Sequence, residues 1–268
     1  MPASAHQQRI LTAGLAVGLV ALALWQGGIL VLAVLLLVCA AGQWEFTAMF
    51  RPGPEHKNLR LTGVGIGAVL LLAVKFGGPQ SVIWTLAGCF WFLALRFLFR
   101  YSADQDHADF NDELILMAGA GYLPLMLQFA LTLSTTEMIL VLVSTAVSDT
   151  AAYYAGTFFG KARIWPQVSP KKSWAGSIGG LAGCTAAVTA YGLNLGDAPV
   201  YVWIALGVVL NIAAQMGDFF ESALKRRLAV KDSGTLLPGH GGLLDRIDSL
   251  LLALPCYALF RLGFVLFP

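Results

Sequence analysis

Apolar runs of 16 to 24 residues recur along the whole chain, separated by short polar stretches. A helix that crosses a bilayer needs about 20 mostly apolar residues, because the hydrocarbon core is about 30 Å thick. The pattern predicts nine such spans, at roughly 10–25, 27–50, 61–75, 81–99, 114–133, 137–160, 174–195, 199–221 and 241–266. The separators are short and rich in Gly, Pro or charge, as in "RPGPEHKNLR", "FGGPQ", "GDAP" and "KARIWPQVSPKKS". A membrane β-barrel would alternate apolar and polar positions in segments of about ten residues, and this chain does not. The expected fold class is therefore all-α, a polytopic integral membrane protein. With no internal repeat and no dividing linker, one membrane domain over 1–268 is expected.

Composition sharpens this. Only 12% of residues are charged and the mean hydropathy is +0.73, whereas a soluble domain is about one-quarter charged. Cys39, Cys89, Cys184 and Cys256 all lie in apolar segments and form no CxxC, so they read as small buried residues rather than a zinc site or a disulfide framework. The N-terminal "MPASAHQQRI" leads into an apolar run without an A-x-A site, which reads as a first span rather than a removed signal peptide.

The charges set an orientation. With nine spans, fifteen of the 17 lysines and arginines share one face, and only Lys75 and Arg261 fall on the other. By the positive-inside rule that face is cytoplasmic, and the protein is expected in the cell (inner) membrane with its N-terminus inside and its C-terminus outside. No nucleic-acid partner is expected. Arg9, Arg51, Lys57 and Arg60 read as orientation signals only. "RYSADQDHADFNDE", with His107 among its acids, reads as a solvated acidic loop, and Glu45 as an interfacial residue near the end of the second span.

Acids inside the later spans need another reason, since ionisable groups in a membrane are costly and usually functional. Asp149 lies mid-span in "STAVSDTAAYYAG". Asp218 and Glu221, and likewise Asp245 and Asp248, are three apart and share a helix face. Converging carboxylates must be protonated, paired with Lys or Arg, or bound to a cation. Magnesium, typically held by one or two carboxylates plus substrate phosphates, suits such a partly open site. The neighbouring loops supply phosphate-binding chemistry: "SPKKS" places Lys171 and Lys172 between Ser169 and Ser173, "LKRRLAVKDSG" carries Lys225, Arg226 and Lys231, and "PGHGG" precedes a helix N-terminus that favours anions. Arg246 can alternatively pair with Asp245 or Asp248.

At these residues the sequence resembles the phosphatidate cytidylyltransferases (CDP-diacylglycerol synthases). "SALKRRLAVKDSGTLLPGHGGLLDRID", Ser222 to Asp248, matches every defined position of that family's signature. "SDTAAYYAGTFFGK", "SPKKSWAGSIGG" and "QMGDFFES" resemble it in the same order, so the detailed likeness covers about 145–250. Ala175 departs from it, standing where the family often has Glu or Gln before the glycine. The resemblance implies Mg²⁺-dependent transfer from CTP to phosphatidic acid at the bilayer surface, giving CDP-diacylglycerol and pyrophosphate. It implies apolar helices in 1–135 and the catalytic helices and loops in 136–268. Asp218 and Asp245 are then the expected metal ligands, with Asp149 and Asp248 as further ligands or orienting groups and a second cation allowed. Lys171, Lys172, Lys225, Arg226, Lys231 and Arg246 are expected on phosphates, Ser169 and Ser173 as donors to them, and Lys172 and Lys231 as part of the catalytic set. His240 reads as a phosphate donor, an indirect partner or a loop residue. Oligomeric state stays open, a homodimer included. A cation- or proton-coupled transporter and a related enzyme acting on an isoprenoid lipid acceptor stay open as other classes.

Overall fold

The computed structural model describes residues 5–78, 80–106, 108–236 and 241–268, with side chains from Thr12 onward. Its helices are α1 (Ala5–Gln26), α2 (Gly28–Phe50), α3 (Lys57–Gly77), α4 (Ser81–Ala103), α5 (Asn111–Tyr122), the single turn α6 (Pro124–Leu127), α7 (Thr135–Phe159), α8 (Trp174–Leu195), α9 (Val200–Arg227) and α10 (Leu244–Phe260). No named strand occurs among the described residues.

Seven helical stretches among those residues are long and apolar enough to cross a membrane: Gly28–Phe50, Pro54–Gly77, Ser81–Ala103, Asn111–Thr132, Thr135–Phe159, Trp174–Leu195 and Val200–Arg227. They are the second to eighth of the nine expected spans. The first expected span lies in α1, whose described apolar stretch is the shorter Thr12–Gln26. The ninth is α10, which has only 17 residues and carries Asp245 in its first turn. At a rise of about 1.5 Å per residue such a helix is shorter than a ~30 Å hydrocarbon core. A count of nine is therefore not established.

The chain divides into two compact units, residues 1–131 with 232–244, and residues 132–231 with 245–268. In the first unit, α2 and α3 pack on each other and on α5. Leu70, Leu71, Leu116 and Leu123 are wholly or almost wholly buried there. Gly27 and Gly28 both have positive φ (66° and 56°), which lets the chain break sharply between α1 and α2. α4 buries only Leu93 and exposes Trp84, Trp91, Phe92 and Phe99, as expected of a helix bathed in lipid rather than water.

The acidic loop is exposed over residues 101–106, as expected, but its end is not. Asp112 and Glu113 are buried. Arg96 Nη1 donates to both Glu113 oxygens at 2.6 and 2.5 Å, Arg100 reaches Asp112 at 3.0 Å, and Arg51 binds Asp112 at 2.8 Å and also Asp109. The backbone N–H of Asn111, and then Arg51, hold the Asp109 carboxyl below the usual carboxylate range. Arg51 and Arg60 thus do more than orient the chain, since Arg60 also donates to the carbonyls of Arg51 and Gly53 at 3.0 and 2.8 Å. His107 lies outside the described residues.

In the second unit, α8 packs most extensively on α7. A stripe of glycines on α8 makes this contact close. A Cβ on Gly176 would stand 2.9 Å from the Ala152 carbonyl, and one on Gly183 would stand 2.7 Å from the Ala151 Cβ. Small residues at such spacing let backbones approach where lipid offers no hydrophobic drive for association. One end of α7 is tied by a capping box, in which Ser134 Oγ accepts from Glu137 N and Glu137 accepts from Ser134 N. Arg261 and Tyr257 also bond Glu137, each with a contact of 3.0 Å. The acidic and basic candidates gather at the opposite end, where α7 and α9 finish and α8 begins.

Candidate active site

The loop between α7 and α8 brings its lysines to that end by backbone bonding. Arg163 and Ser173 form an isolated antiparallel bridge, Trp174 N donates to Ala162 O at 3.0 Å, and Ser169 N closes a turn onto Trp165 O at 2.9 Å. Arg226 of α9 donates to Val168 O at 3.3 Å, steadying the same turn. Ser173 then caps α8, its Oγ accepting from Gly176 N at 3.2 Å. Small residues are needed here, because a Cβ on Gly160 would run into Ser173 Oγ and the Gly156 carbonyl.

These elements enclose a cleft of about 550 Å³. Asp149, Lys171, Lys172, Ser173 and Asp218 line it, together with Tyr153, Thr157, Arg163, Ser177 and Gln215. Lys172 Nζ sits 2.5 Å from Asp218 Oδ2 and 4.1 Å from the centre of the Phe219 ring. Trp165 meets that ring edge-on at 4.9 Å. Ser222 donates to Asp218 Oδ1 at 3.3 Å. Gln215 is fixed on three sides: it donates to Ser177 O and Asn211 Oδ1 and accepts from Ser177 Oγ. Ser148 donates to Asn211 Oδ1 at 2.8 Å, which extends this polar chain into the buried interior of the unit.

A second cluster joins α9 to α10. Lys225 Nζ lies 2.5 Å from Asp245 Oδ1 and 3.0 Å from Glu221 Oε2. Glu221 is wholly buried, and its Oε1 has no conventional donor. Asp248 of α10 is likewise buried. Asp149 feels Asp218 and Asp248 as like charges, so the two clusters share one electrostatic neighbourhood. The close approach of α9 and α10 depends on Gly217, where a Cβ would overlap the Asp248 carbonyl.

This disposition meets some of the expectations drawn from sequence and departs from others. Asp149, Lys171, Lys172, Ser173 and Asp218 come together around the cleft, whereas Asp245 and Lys225 pair outside its lining. Ser169 spends its backbone on the turn, Arg226 braces that turn, and Lys231 and Arg246 are exposed away from the cleft lining. His240 lies outside the described residues. Among the described residues no three His, Cys, Asp or Glu side chains stand close enough to make a complete metal cage. An ion held by one or two carboxylates and by substrate phosphates needs no such cage. Asp149 and Asp218 line the cleft and Asp245 and Asp248 lie on the neighbouring helix, carboxylates of the kind that can hold a divalent cation together with substrate phosphates.

The profile of the cytidylyltransferase family matches residues 7–264. The chain belongs to that family. It is 33% identical over 197 residues to a phosphatidate cytidylyltransferase of Staphylococcus aureus (strain COL), covering 71% of this chain and 74% of that protein. It is 43% identical over 148 residues to the Thermotoga maritima phosphatidate cytidylyltransferase, 53% of each chain. In Staphylococcus haemolyticus a protein of the same name is 45% identical over 111 residues, 41% of this chain and 42% of that one.

For a cytidylyltransferase the structure adds residues that the motifs did not single out. Tyr153 follows Asp149 by four positions and Gln215 precedes Asp218 by three, so helical periodicity from the acids already pointed to both. Arg163 and Ser177 carry no such signal; the loop bridge and the packing of α8 on α7 bring them in. Glu221 shares a face with Asp218 by its spacing, but its complete burial beneath Lys225 is a tertiary fact.

Proposed function

We propose that this cytidylyltransferase is a Mg²⁺-dependent phosphatidate cytidylyltransferase of a cell membrane, acting on the cytoplasmic face. The observation that carries the reading is the cleft itself: lysines, an arginine and a capped helix N-terminus face carboxylates at one end of apolar helices. A lipid phosphate reaches that level with its acyl chains still in the bilayer. The nucleotide arrives from water on the face that holds the excess of basic residues.

A phosphate oxygen of phosphatidic acid attacks the α-phosphorus of CTP. A new P–O bond forms while the bond from the α-phosphorus to the oxygen bridging to the β-phosphate breaks, and pyrophosphate leaves. The monoester has a second pKa of about 6, so little deprotonation is needed at neutral pH. The protein's contribution is then positioning and charge neutralisation. Lys171, Lys172 and Arg163 hold nucleotide phosphates against the N-terminus of α8. Ser173 accepts from Gly176 N, which leaves its O–H to donate into the cleft. Lys225 keeps Asp245 and Glu221 in place, Arg226 braces the loop that carries Lys171 and Lys172, and Lys231 and Arg246 would meet substrate phosphates from outside the cleft lining. Asp218 and Asp245, supported by Asp149 and Asp248, would hold Mg²⁺, and a second cation belongs to the same reading. When bound, the ion supplies divalent charge to the phosphate oxygens.

The test uses purified protein with CTP, Mg²⁺ and a panel of lipid phosphates, and follows pyrophosphate. Turnover with phosphatidic acid is expected. Turnover confined to an isoprenoid phosphate, or none with any acceptor, overturns the reading.

A further inference from the structure

Glu45 is an acid that the reaction as described leaves unused, and its side chain is buried inside the first unit rather than reaching out from the helix end as its sequence position suggested. It is only 4% exposed. Its Oε2 accepts from Leu244 N at 2.9 Å and from Ser233 Oγ at 3.2 Å. Its Oε1 is buried with no hydrogen-bond partner. Leu244 is the first residue of α10, so Glu45 satisfies one of the N–H groups that a helix start leaves open, from a residue 199 positions away. The helix dipole favours negative charge there.

Two glycines make room for the side chain. A Cβ on Gly234 would lie 2.6 Å from Glu45 Cδ and 2.7 Å from its Cγ. A Cβ on Gly242 would lie 2.7 Å from Oε2 and 2.7 Å from Gly234 N. The carboxylate is thus threaded between two stretches of chain, 233–234 and 242–244, that approach backbone to backbone. These stretches run directly on to Lys231 at one end and Asp245 at the other.

We propose that Glu45 is a positioning residue for cytidylyl transfer: by clamping residues 233–234 to 242–244 it sets, through the chain, how Lys231 and Asp245 are presented to substrate and metal. The inference rests on the function proposed above. It explains why a carboxylate is buried on α2, a helix that carries none of the assigned site residues. It also gives Gly234 and Gly242 of the signature a physical reason, namely that only a residue without Cβ leaves space for this side chain.

The full chain is assayed for CDP-diacylglycerol formation at varied Mg²⁺, alongside thermal unfolding in the same detergent. Glu45→Ala is expected to lower kcat by about 10–100-fold, the range seen when a partner that orients a functional ligand is removed, and to raise the Mg²⁺ concentration at half-maximal rate. Glu45→Gln keeps an oxygen that accepts both bonds, without charge assistance, and is expected to lose no more than about fivefold. Ser233→Ala removes one donor and gives a smaller loss in the same direction, which keeps the idea testable if Glu45→Ala folds poorly. Gly234→Ala alone is expected to be strongly impaired, yet to add little in the Glu45→Ala background, where its Cβ no longer meets the carboxylate. If the wild type is active and Glu45→Ala matches it, the clamp is refuted and the functional reading stands. A loss of folded protein with unchanged Mg²⁺ dependence in both Glu45→Ala and Ser233→Ala refutes it as well. If the wild type transfers no cytidylyl group to phosphatidic acid, the functional reading falls and takes the positioning role with it.

Discussion

Lys172 Nζ is held at once by Asp218 Oδ2, 2.5 Å away, and by the face of Phe219, 4.1 Å from its centre. The side chain therefore reaches from the start of α8 to the cleft-lining face of α9 with its charge already placed. A lysine in such a seat is a compact cation, its side chain 26% exposed, whose field is less screened than in open water.

Lys172→Ala is expected to reduce kcat/KM for CTP by about 100-fold, or ~2.7 kcal/mol, because a charge-assisted contact to phosphate is lost inside the cleft. Lys172→Arg should rescue poorly, since a broad planar guanidinium does not fit between Asp218 and the ring. Lys57→Ala, at an exposed position of the first unit, serves as the control and should match the wild type. Steady-state kinetics on the three variants decide this; equal losses at Lys57 and Lys172 would indicate a diffuse field rather than a placed charge.

Chelation of divalent ions with EDTA is expected to abolish turnover, and added Mg²⁺ to restore it. Asp218→Asn should retain less than about a tenth of the activity, since each factor of ten is worth ~1.4 kcal/mol of barrier. Asp245→Asn should do the same while also loosening Lys225, whose other partner is the buried Glu221. Activity titrated against Mg²⁺, with unfolding followed in parallel, checks both. An Asp218→Asn protein with wild-type Mg²⁺ dependence would remove that residue from the metal site.

Packing of α8 on α7 makes a prediction independent of chemistry. Gly183→Ala puts a methyl group 2.7 Å from the Ala151 Cβ. Overpacking of this kind costs about 1–3 kcal/mol. Ala151→Gly removes the obstructing methyl, so the double variant should recover more than half of the loss. Thermal or denaturant unfolding in one detergent measures the cycle; additive losses would show that the two helices do not meet there in the membrane.

Reporter fusions after Lys231 and after Pro268 are expected on opposite sides of the membrane, with Lys231 cytoplasmic. The motive is the fifteen-to-two division of basic residues. Both reporters on one side would mean that the 17-residue α10 enters the bilayer without crossing it.

Much of this protein is written locally. Continuous apolar runs oblige a chain in lipid to form helices, because only helices satisfy their own backbone there, so the second to eighth spans were legible from hydropathy alone. The three-residue spacings of Asp218 with Glu221 and of Asp245 with Asp248 put each pair on one face by helical geometry. The long motif from Ser222 to Asp248 carried the family resemblance.

The tertiary structure decided which charges meet. Asp112 and Glu113 read as solvated along with the rest of the acidic loop because no local rule reveals that Arg96, Arg100 and Arg51 arrive to bury them. Lys225 chooses Asp245 from twenty residues away, and Glu45 reaches Leu244 from 199 away. Periodicity determines which side of its own helix a residue occupies. It says nothing of the partner opposite, since that depends on how separate helices pack and on which buried charge must be compensated. For this chain the sequence determined the second to eighth apolar helices and the kinds of group near the cleft, and only the fold paired Lys172 with Asp218, Lys225 with Asp245 and Glu221, and Glu45 with Leu244.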